Sequence, residues 1–386
     1  MNRKLLGGLL VLAVAAAAGI FVYQKPLRVG EPEGRQQAVP AGSPSETQAL
    51  TIVSWGGSYT KSQVEAFHKP YAAETGVVIR LESYDGGLAE VRAQVKSGSV
   101  SWDLVDFDLA DIVRGCEEGL LEPLDLDALP ASPDGTPAQD DFIAGTLHKC
   151  GVATMIWSTV FAYDANAFPF ESPTSLADFF DVERFPGKRG MQRSPKANLE
   201  FALMADGVAP NKVYEVLATP EGADRAFAKL DSIKEQVIWW ESGSQPPQLL
   251  SSGEVTMTTA YNGRIFNAQV RENKPFVIVW DGQVWHQDLW GIPRGSKNKE
   301  AAMEFVKFST TTQRLAAQSS WISYGPARKS SIPFVGKHAE AGIEMAPHTP
   351  TAPQNFRTAV QNDFEFWSDY YDELSQRFAA WLAGTT

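Results

Sequence analysis

Short apolar runs alternate with amphipathic segments in the first part of the chain, from residue 50 onward. Residues 51–55, 77–81 and 103–107 are predicted to be strands, because each is a compact β-prone run that leads into a glycine, a turn or an acid. Apolar residues at helical spacing follow each run. Three successive strand-helix units predict an α/β fold with mostly parallel sheets flanked by helices.

Two later β-prone runs exceed ordinary strand length. Residues 152–163 form one of them, with twelve residues where strands usually have roughly 3 to 10, and residues 276–293 contain the other. Both are predicted to cross between two lobes. The chain ends in an amphipathic helix with apolar residues three and four positions apart, which predicts that the whole stripe packs inward. Its members are Phe364, Trp367, Tyr371, Leu374, Phe378 and Trp381.

The length of 386 residues supports the two-lobed interpretation, because a single hydrophobic core stops growing at roughly 250 to 300 residues. Each lobe is predicted to hold a mostly parallel sheet flanked by helices, and crossing strands join the two. Residues 50–155 and 285–318 are assigned to lobe 1. Residues 156–284 and 319–386 are assigned to lobe 2.

The N-terminus predicts export. Arg3 and Lys4 precede an apolar run over residues 5–23, so residues 1–24 are interpreted as a signal peptide or a signal anchor. The run approaches the roughly 17 to 25 residues that span a bilayer, and both alternatives stay open. Residues 25–49 are rich in proline, glycine, glutamine and serine, which predicts a flexible linker. We expect the body to lie in the periplasm, anchored to the inner membrane if the segment is not cleaved.

Net charge, cysteine content and the absence of enzyme motifs limit the possible functions. A formal net charge of -12 disfavours nucleic acids, which require patches of lysine and arginine, and favours cationic partners. Cys116 and Cys150 are expected to form a disulfide in an oxidising compartment, with two separate buried thiols as the alternative. The sequence has no motif of a serine hydrolase, a zinc protease or a phosphate-binding loop. We therefore predict that the protein is not an enzyme and needs no cofactor or metal.

The stretch from residue 280 to residue 293 carries the densest candidate chemistry. Three tryptophans, two carboxylates and one histidine fall within eleven residues. Buried carboxylates need partners, and aromatic faces attract cations with roughly 0.5 to 2 kcal/mol per contact, so we predict a pocket for an organic amine. Loops after the predicted strands add candidates, because ligands of such sheets bind beyond the carboxyl ends of the strands.

Several sequence segments occur together in the order that one known family shows. They are Ser54-Trp55-Gly56-Gly57-Ser58-Tyr59, Asp103-Leu104-Val105, residues 152–163, Ser252-Gly253-Glu254-Val255, Tyr261-Asn262-Gly263 and Asp288-Leu289-Trp290-Gly291-Ile292-Pro293. With them, the chain resembles the periplasmic polyamine-binding proteins, the solute receptors of spermidine/putrescine ABC importers. The similarity runs from about residue 50 to residue 382. It implies a type II-like periplasmic-binding-protein fold whose lobes close on a ligand.

The resemblance also implies a ligand that lies between aromatic walls, with carboxylates on its ammonium groups. Trp55 and Tyr59 match the first wall, and Asp288 matches the main amine-binding aspartate. Tyr261 and His286 stand where the family often has tryptophan. A protonated His286 is expected to weaken the cation-binding wall.

The second end of the site departs from the family. Residues 194–198 replace the family's acidic pair, with only Glu200 nearby. A polyamine needs an anion at each end, because an unpaired buried ammonium is heavily penalised. The departure leaves a shorter amine or a zwitterion as alternatives, the latter with its carboxylate on Arg193 or Arg264.

We therefore predict an exported, monomeric receptor that binds putrescine, spermidine or a related small organic amine and delivers it to ABC transporter permease subunits. Alternatives are a receptor of the same fold for an opine or an amino-acid-type zwitterion, a ferric-ion receptor, and an enzyme acting on an amine. The predicted ligand-binding residues, three of them secondary acids from loops, are Trp55, Tyr59, Asp85, Asp108, Glu241, Tyr261, Trp285, His286 and Asp288.

Overall fold

The computed structural model describes residues 49–384. The predicted signal segment, residues 1–24, and all but the last residue of the predicted linker lie outside this range. Within the described residues, no helix is both long enough and apolar enough to cross a membrane. The same residues form eleven strands and fourteen α-helices, with short 3-10 turns and one π-helical turn between them.

The strands are β1 (Ala49–Ser54), β2 (Val78–Ser83), β3 (Leu104–Asp108), β4 (Leu147–His148), β5 (Gly151–Asp164), β6 (Arg189–Gln192), β7 (Val237–Trp240), β8 (Met257–Tyr261), β9 (Phe276–Gly291), β10 (Gly325–Pro326) and β11 (Val360–Gln361). The helices are α1 (Gly57–Gln63), α2 (Lys69–Thr75), α3 (Ala89–Ser97), α4 (Leu109–Glu117), α5 (Ala138–Asp141), α6 (Leu176–Phe180), α7 (Asn198–Ala205), α8 (Val213–Leu217), α9 (Pro220–Asp231), α10 (Gln245–Ser252), α11 (Asn262–Arg271), α12 (Lys299–Ser309), α13 (Thr312–Gln318) and α14 (Phe364–Ala383).

The eleven described strands belong to one sheet, whose main path is β2-β1-β3-β9-β5-β8-β6-β7. Strand β1 pairs in parallel with β2 and β3, and β6 pairs in parallel with β7 and β8. Strand β9 is antiparallel to β3 and β5, and β5 is antiparallel to β8. Two parallel groups therefore flank an antiparallel pair of long strands, which confirms the predicted α/β class.

Strands β5 and β9 are the two long strands predicted from the sequence, with 14 and 16 residues. Both are buried along most of their length, which explains their near-continuous apolar runs. Their pairing shifts register between Ala153 and Met155 and again between Thr159 and Phe161. Such bulges bend a strand and re-aim its side chains, so one strand is able to serve two cores.

Each end of the sheet has its own hydrophobic core. One cluster packs around β1, β3 and α12, with Leu50, Phe107 and Phe305 fully buried. The other packs α7, α9 and α14 against the far halves of β5 and β9, and includes Phe201 and Trp367. Strands β5 and β9 contribute residues to both clusters. The architecture is therefore two-lobed, while the residue boundaries assigned to the lobes stay a prediction.

A disulfide joins Cys116, near the end of α4, to Cys150, directly before β5. The two residues are 34 positions apart, and closing a loop of this length contributes roughly 4 kcal/mol in the chain-entropy model. The bond holds α4 against the start of a crossing strand.

Helix α14 differs from its predicted packing at one residue. Trp367, Leu374, Phe378 and Trp381 are buried, as the apolar stripe predicts. Tyr371, predicted to pack inward, is instead 42% exposed, so the prediction was wrong there. The ring lines a cavity rather than a core.

Candidate functional site

Two buried carboxylates form one wall of the candidate site, which we call the acid wall. Asp106 lies on β3 and Asp288 on β9, its antiparallel neighbour, and both are buried. Tyr59 Oη donates a 2.6 Å hydrogen bond to Asp106 Oδ2, and Gln63 Nε2 donates to the same atom. Thr154 Oγ1 lies 3.2 Å from Tyr59 Oη and donates to the Asp288 carbonyl oxygen at 3.2 Å. A polar chain therefore links Asp106 to the backbone of Asp288.

A glycine turn places the first predicted aromatic residues at this wall. Gly56 and Gly57 have φ of 76° and 57°, left-handed values that residues with side chains rarely adopt. They turn β1 sharply into α1, and Gly56 N donates to Thr60 Oγ1 at 2.8 Å. Trp55 before the turn and Tyr59 after it consequently both lie near Asp106 on β3, and the hydroxyl of Tyr59 hydrogen-bonds to its carboxylate.

Neither acid has a cationic partner in the described part of the chain. Burial raises the pKa of Asp106 to about 7, even though hydrogen bonds to its carboxylate oppose the rise. Burial, followed by the charge of Asp106, raises the pKa of Asp288 well above its usual range. Trp55 Nε1 and Asp106 Oδ1 are also buried without a close hydrogen-bond partner among residues 49–384. Such a wall is costly unless a ligand supplies positive charge.

Trp157 on β5 connects the acid wall to an aromatic wall. Its Nε1 donates to Asp288 Oδ1 at 3.2 Å, and its ring stacks on His286 with centroids 4.1 Å apart and planes 12° apart. Its edge meets the Tyr261 ring at 5.3 Å. Gln192 Nε2 donates to Tyr261 Oη at 3.2 Å, which fixes that ring in place. The aromatic wall thus consists of Trp157, His286 and Tyr261, directly beside the carboxylate of Asp288.

His286 is uncharged near neutral pH. Burial lowers its pKa to about 3, and the charge of Lys196 acts in the same direction. A neutral imidazole stacked on an indole behaves as one more aromatic face. The weakening of the wall by a protonated ring, expected from the sequence, therefore does not arise near neutral pH.

Tyr324 lies within the electrostatic reach of both an acid and a base. Its ring centroid is 6.1 Å from that of Tyr59, and Gly263 approaches so closely that an added Cβ would lie 2.9 Å from the Tyr324 ring. Burial and the charge of Asp288 raise the pKa of Tyr324 to about 12, and the charge of Arg264 opposes that rise. The phenol is therefore acted on by both Asp288 and Arg264.

The two arginines considered for a ligand carboxylate have different surroundings. Arg193 Nη1 lies 3.3 Å from Glu241 Oε1, and both side chains are exposed. Arg264, the third residue of α11, is exposed and makes no hydrogen bond or ion pair with any described residue. Burial raises the pKa of Tyr261, and the charge of Arg264 lowers it. Of the two, Arg264 is the arginine that acts on the aromatic wall.

The three predicted secondary acids lie in three kinds of environment. Asp85 is exposed and has no hydrogen bond or ion pair with described residues. Asp108 is the register partner of Asp288 on β3, and its Oδ1 accepts from Asp111 N at 2.8 Å to cap α4. Glu241 is exposed and engaged in its ion pair. Only Asp108 adjoins the acid wall, and the ligand-binding role of all three stays a prediction.

A cavity of about 530 Å³, which we call the inner cavity, adjoins the aromatic wall. Asp108, Trp157, Lys196, Trp285 and His286 are among its lining residues. A larger groove of about 1070 Å³ continues from it, but that groove is lined by none of the predicted ligand-binding residues. We therefore place the candidate site at the acid wall, the aromatic wall and the inner cavity.

Three residues of this group are missing from the sequence prediction. Asp106 lies near the end of β3, the position that the α/β rule marks for ligands, yet the prediction names Asp108 there. Trp157 is the register partner of His286, so pairing the two predicted long strands antiparallel would have placed it. Tyr324 lies in an irregular segment between α13 and β10, where no periodicity points to it.

The fold and the site define a class of protein, a two-lobed receptor for a small solute. The family model for bacterial extracellular solute-binding proteins matches residues 66–351, and the chain belongs to this family. The protein is a solute-binding receptor of an ABC transporter and not an enzyme, which confirms both predictions. Such receptors bind small ligands and pair with permease subunits. Family membership implies a periplasmic location.

Similar proteins extend over nearly the whole chain. A gamma-aminobutyric acid-binding protein of Pseudomonas aeruginosa is 43% identical over 346 residues, which cover 90% of this chain and 94% of that protein. Spermidine/putrescine-binding periplasmic protein 1 of Haemophilus influenzae is 23% identical and covers 92% of this chain and 96% of that protein. An ABC transporter substrate-binding protein from Bradyrhizobium japonicum has a TM-score of 0.73 at 33% identity, covering 86% of this chain and 99% of that chain.

Proposed function

We propose that this receptor binds a short zwitterionic amino acid of the gamma-aminobutyric acid type. The ammonium group would lie at Asp288 and the carboxylate at Arg264. One observation carries the proposal: within the described residues, a buried carboxylate without a cation and a guanidinium without an anion act on the same phenol, that of Tyr324. An amino acid with its charges at opposite ends supplies the missing partner to each.

The acid wall suits an ammonium group. A charge-assisted hydrogen bond to Asp288 would be strong in this buried position. Trp157 donates to that carboxylate and meets the Tyr261 ring, so an ammonium group at Asp288 would lie near aromatic rings that can add cation-π attraction. The charge of Asp106 adds to the demand for a cation, because a bound ammonium relieves the repulsion between the two acids.

The basic end suits a carboxylate. A guanidinium presents parallel N–H donors that match a carboxylate in a bidentate arrangement. Arg264 is available for this contact, whereas Arg193 already holds Glu241. A diamine such as putrescine would bring a second positive charge toward Arg264, and like charges repel each other. The geometry therefore favours a zwitterion over the polyamines expected from the sequence.

The relatives support the same choice. The Pseudomonas aeruginosa relative with 43% identity binds gamma-aminobutyric acid, and the polyamine-binding relative from Haemophilus influenzae shares 23% of its residues. Asp288 lies on β9 where it pairs with β3, and Arg264 lies on α11, directly after β8, so a ligand that bridges them would stabilise the closed arrangement of the lobes. The closed receptor would then deliver the ligand to the permease.

Isothermal titration calorimetry with matched ligands tests the proposal. Gamma-aminobutyric acid, 1-aminobutane and putrescine share a four-carbon chain and differ in their charges. We expect gamma-aminobutyric acid to bind the wild-type receptor most tightly. Asp288→Asn should weaken the binding of both 1-aminobutane and gamma-aminobutyric acid by roughly 30-fold to 1000-fold, which is the range for losing one partner of a buried charged contact. Arg264→Gln should weaken gamma-aminobutyric acid and leave 1-aminobutane unaffected.

Arg271→Gln is the matched control, because Arg271 is exposed on the same helix and pairs with Glu340 at 3.7 Å. It should bind every ligand like the wild type. Tighter binding of putrescine than of gamma-aminobutyric acid by the wild type would contradict the proposal. An opine belongs in the panel too, since strong binding of an opine alone would favour the other zwitterion class.

A further inference from the structure

The loop between β6 and α7 holds one lysine in a fixed position at the inner cavity. Asn198 is buried, and its Nδ2 donates to the carbonyl oxygens of Gln192 at 2.7 Å and Ser194 at 2.8 Å, which closes the loop. Ala197 has a φ of 64°, a left-handed value that alanine adopts only when its surroundings enforce it. Lys196 precedes it and is presented by a tightly held loop.

The side chain of Lys196 lies on aromatic faces rather than in solvent or on an acid. Its Nζ is 4.8 Å from the ring centroid of Tyr371 and 5.7 Å from that of Trp367, both on α14. The residue is half-buried and lines the inner cavity together with Trp157 and His286. The exposure of Tyr371 is thus explained, because its ring supports the lysine at the cavity.

No acid among residues 49–384 forms an ion pair with Lys196. Burial lowers its pKa, and the acids that oppose this from a longer distance are Glu200 and Asp108. Its field reaches into the candidate site, because its charge lowers the pKa of both His286 and Asp108. The cavity next to Asp288 therefore contains an ammonium group that has no carboxylate partner of its own.

We propose that Lys196 is a specificity-determining residue that excludes diamines by repelling their second ammonium group. The proposal rests on the amine site at Asp288 proposed above and adds a separate element to it. A monocation at Asp288 places no second charge near either basic residue, whereas a dication turned away from Arg264 extends its second charge into the cavity and the field of Lys196. Charge repulsion in a partly buried cleft discriminates between ligands of equal length.

Two amines of equal length isolate this effect. 1-Aminobutane and putrescine differ only in the second ammonium group, so the ratio of their dissociation constants reports repulsion and cancels changes common to both. Calorimetry on the full receptor should give a putrescine/1-aminobutane ratio that falls about tenfold or more in Lys196→Gln. Lys196→Glu should lower it further and produce measurable putrescine binding even if the wild type shows none.

Lys229→Gln is the matched control, since Lys229 is also half-buried over a ring, 5.3 Å from the centroid of Phe180, and does not line the inner cavity. The putrescine/1-aminobutane ratio of Lys229→Gln should equal that of the wild type. Thermal melting of all variants checks that they fold. An unchanged ratio in both Lys196 variants would overturn the proposed exclusion of diamines by Lys196 and leave the amine site intact. Failure of every amine to bind the wild type would instead overturn the amine site at Asp288, and with it the proposed role of Lys196.

Discussion

Two buried aspartates in this protein have opposite surroundings. Asp141 lies 3.1 Å from Arg328 Nη1, and Ser330 donates to it from its backbone N at 2.8 Å and from Oγ at 2.6 Å. Asp288 is also buried, yet its described surroundings hold no cation and add the negative charge of Asp106. A protein interior penalises both charges. The charge of Asp141 is compensated by Arg328 within the fold, whereas the charge of Asp288 is left for a ligand to compensate.

The same difference separates the basic residues. Arg193 is engaged by Glu241 at 3.3 Å, whereas Arg264 and Lys196 have no ion-pair partner in residues 49–384. Of these three basic residues, the paired one is held by an acid of the fold, and the two unpaired ones act on the candidate site. We therefore expect the loss of a buried paired charge to lower the free energy of unfolding. The loss of an unpaired charge at the site should change ligand affinity, or raise the free energy of unfolding because an uncompensated charge is removed.

The largest effect on stability is expected at the paired aspartate. Arg328→Met leaves Asp141 buried without its cation, and removing one partner of a buried ion pair costs about 3 to 5 kcal/mol. Urea unfolding followed by tryptophan fluorescence should show that loss in the free energy of unfolding. The affinity of the folded variant for gamma-aminobutyric acid should stay within about twofold of the wild type, because the two sites share no contacts.

Arg225→Met provides the control for burial, since Arg225 and Asp206 form an exposed ion pair. Exposed pairs contribute about 0 to 1 kcal/mol, so this variant should lose far less stability. Equal losses in the two variants would show that burial does not distinguish these pairs.

The acid wall, whose carboxylates have no described cation, predicts that the stability of the unliganded protein depends on pH. Burial holds the pKa of Asp106 at about 7 in the folded protein, above the ordinary value of 3.8. The folded state therefore binds this proton more tightly than the unfolded state does. The resulting stabilisation is fully present below about pH 4 and is lost as pH rises through about 7. The total loss should be roughly 4 kcal/mol, since each unit of pKa shift corresponds to about 1.4 kcal/mol.

Asp106→Asn removes this titration while it keeps an oxygen that accepts from Tyr59 and Gln63. Urea unfolding of the unliganded protein from pH 4 to pH 8 should show a shallower fall in stability than in the wild type. Part of the slope should remain, because the pKa of Asp288 is also raised. Parallel profiles for wild type and Asp106→Asn would show that the pKa of Asp106 does not differ between the folded and unfolded states.

Much of the fold follows from repeated local patterns in the sequence. Three strand-helix units near the start and two long apolar runs later predict the α/β class and the crossing strands β5 and β9. Periodicity does not specify which strands are neighbours, however. The antiparallel pairing of β3 with β9, which places Asp106 beside Asp288, depends on contacts between residues far apart in the chain.

The site was predictable by residue type and less so by environment. Asp288 and His286 stand out because acids and aromatic rings are concentrated in one stretch. Whether a charge is paired depends on distant partners, as with Asp141 and Arg328, which are 187 positions apart. The wrong expectation for Tyr371 has the same origin, because helical spacing identifies a face of a helix but not what covers that face.

The smallest effect is expected at Arg193, the arginine that already has a partner. Arg193 and Glu241 are exposed, and such a pair contributes about 0 to 1 kcal/mol, so Arg193→Gln should barely change the free energy of unfolding. Its affinity for gamma-aminobutyric acid should stay within about twofold, because this guanidinium is held by Glu241. Calorimetry of this variant beside Arg264→Gln measures the contrast directly. Equal losses of affinity would mean that the ion pair opens on binding, and pairing in the unliganded receptor would then no longer separate scaffold from site.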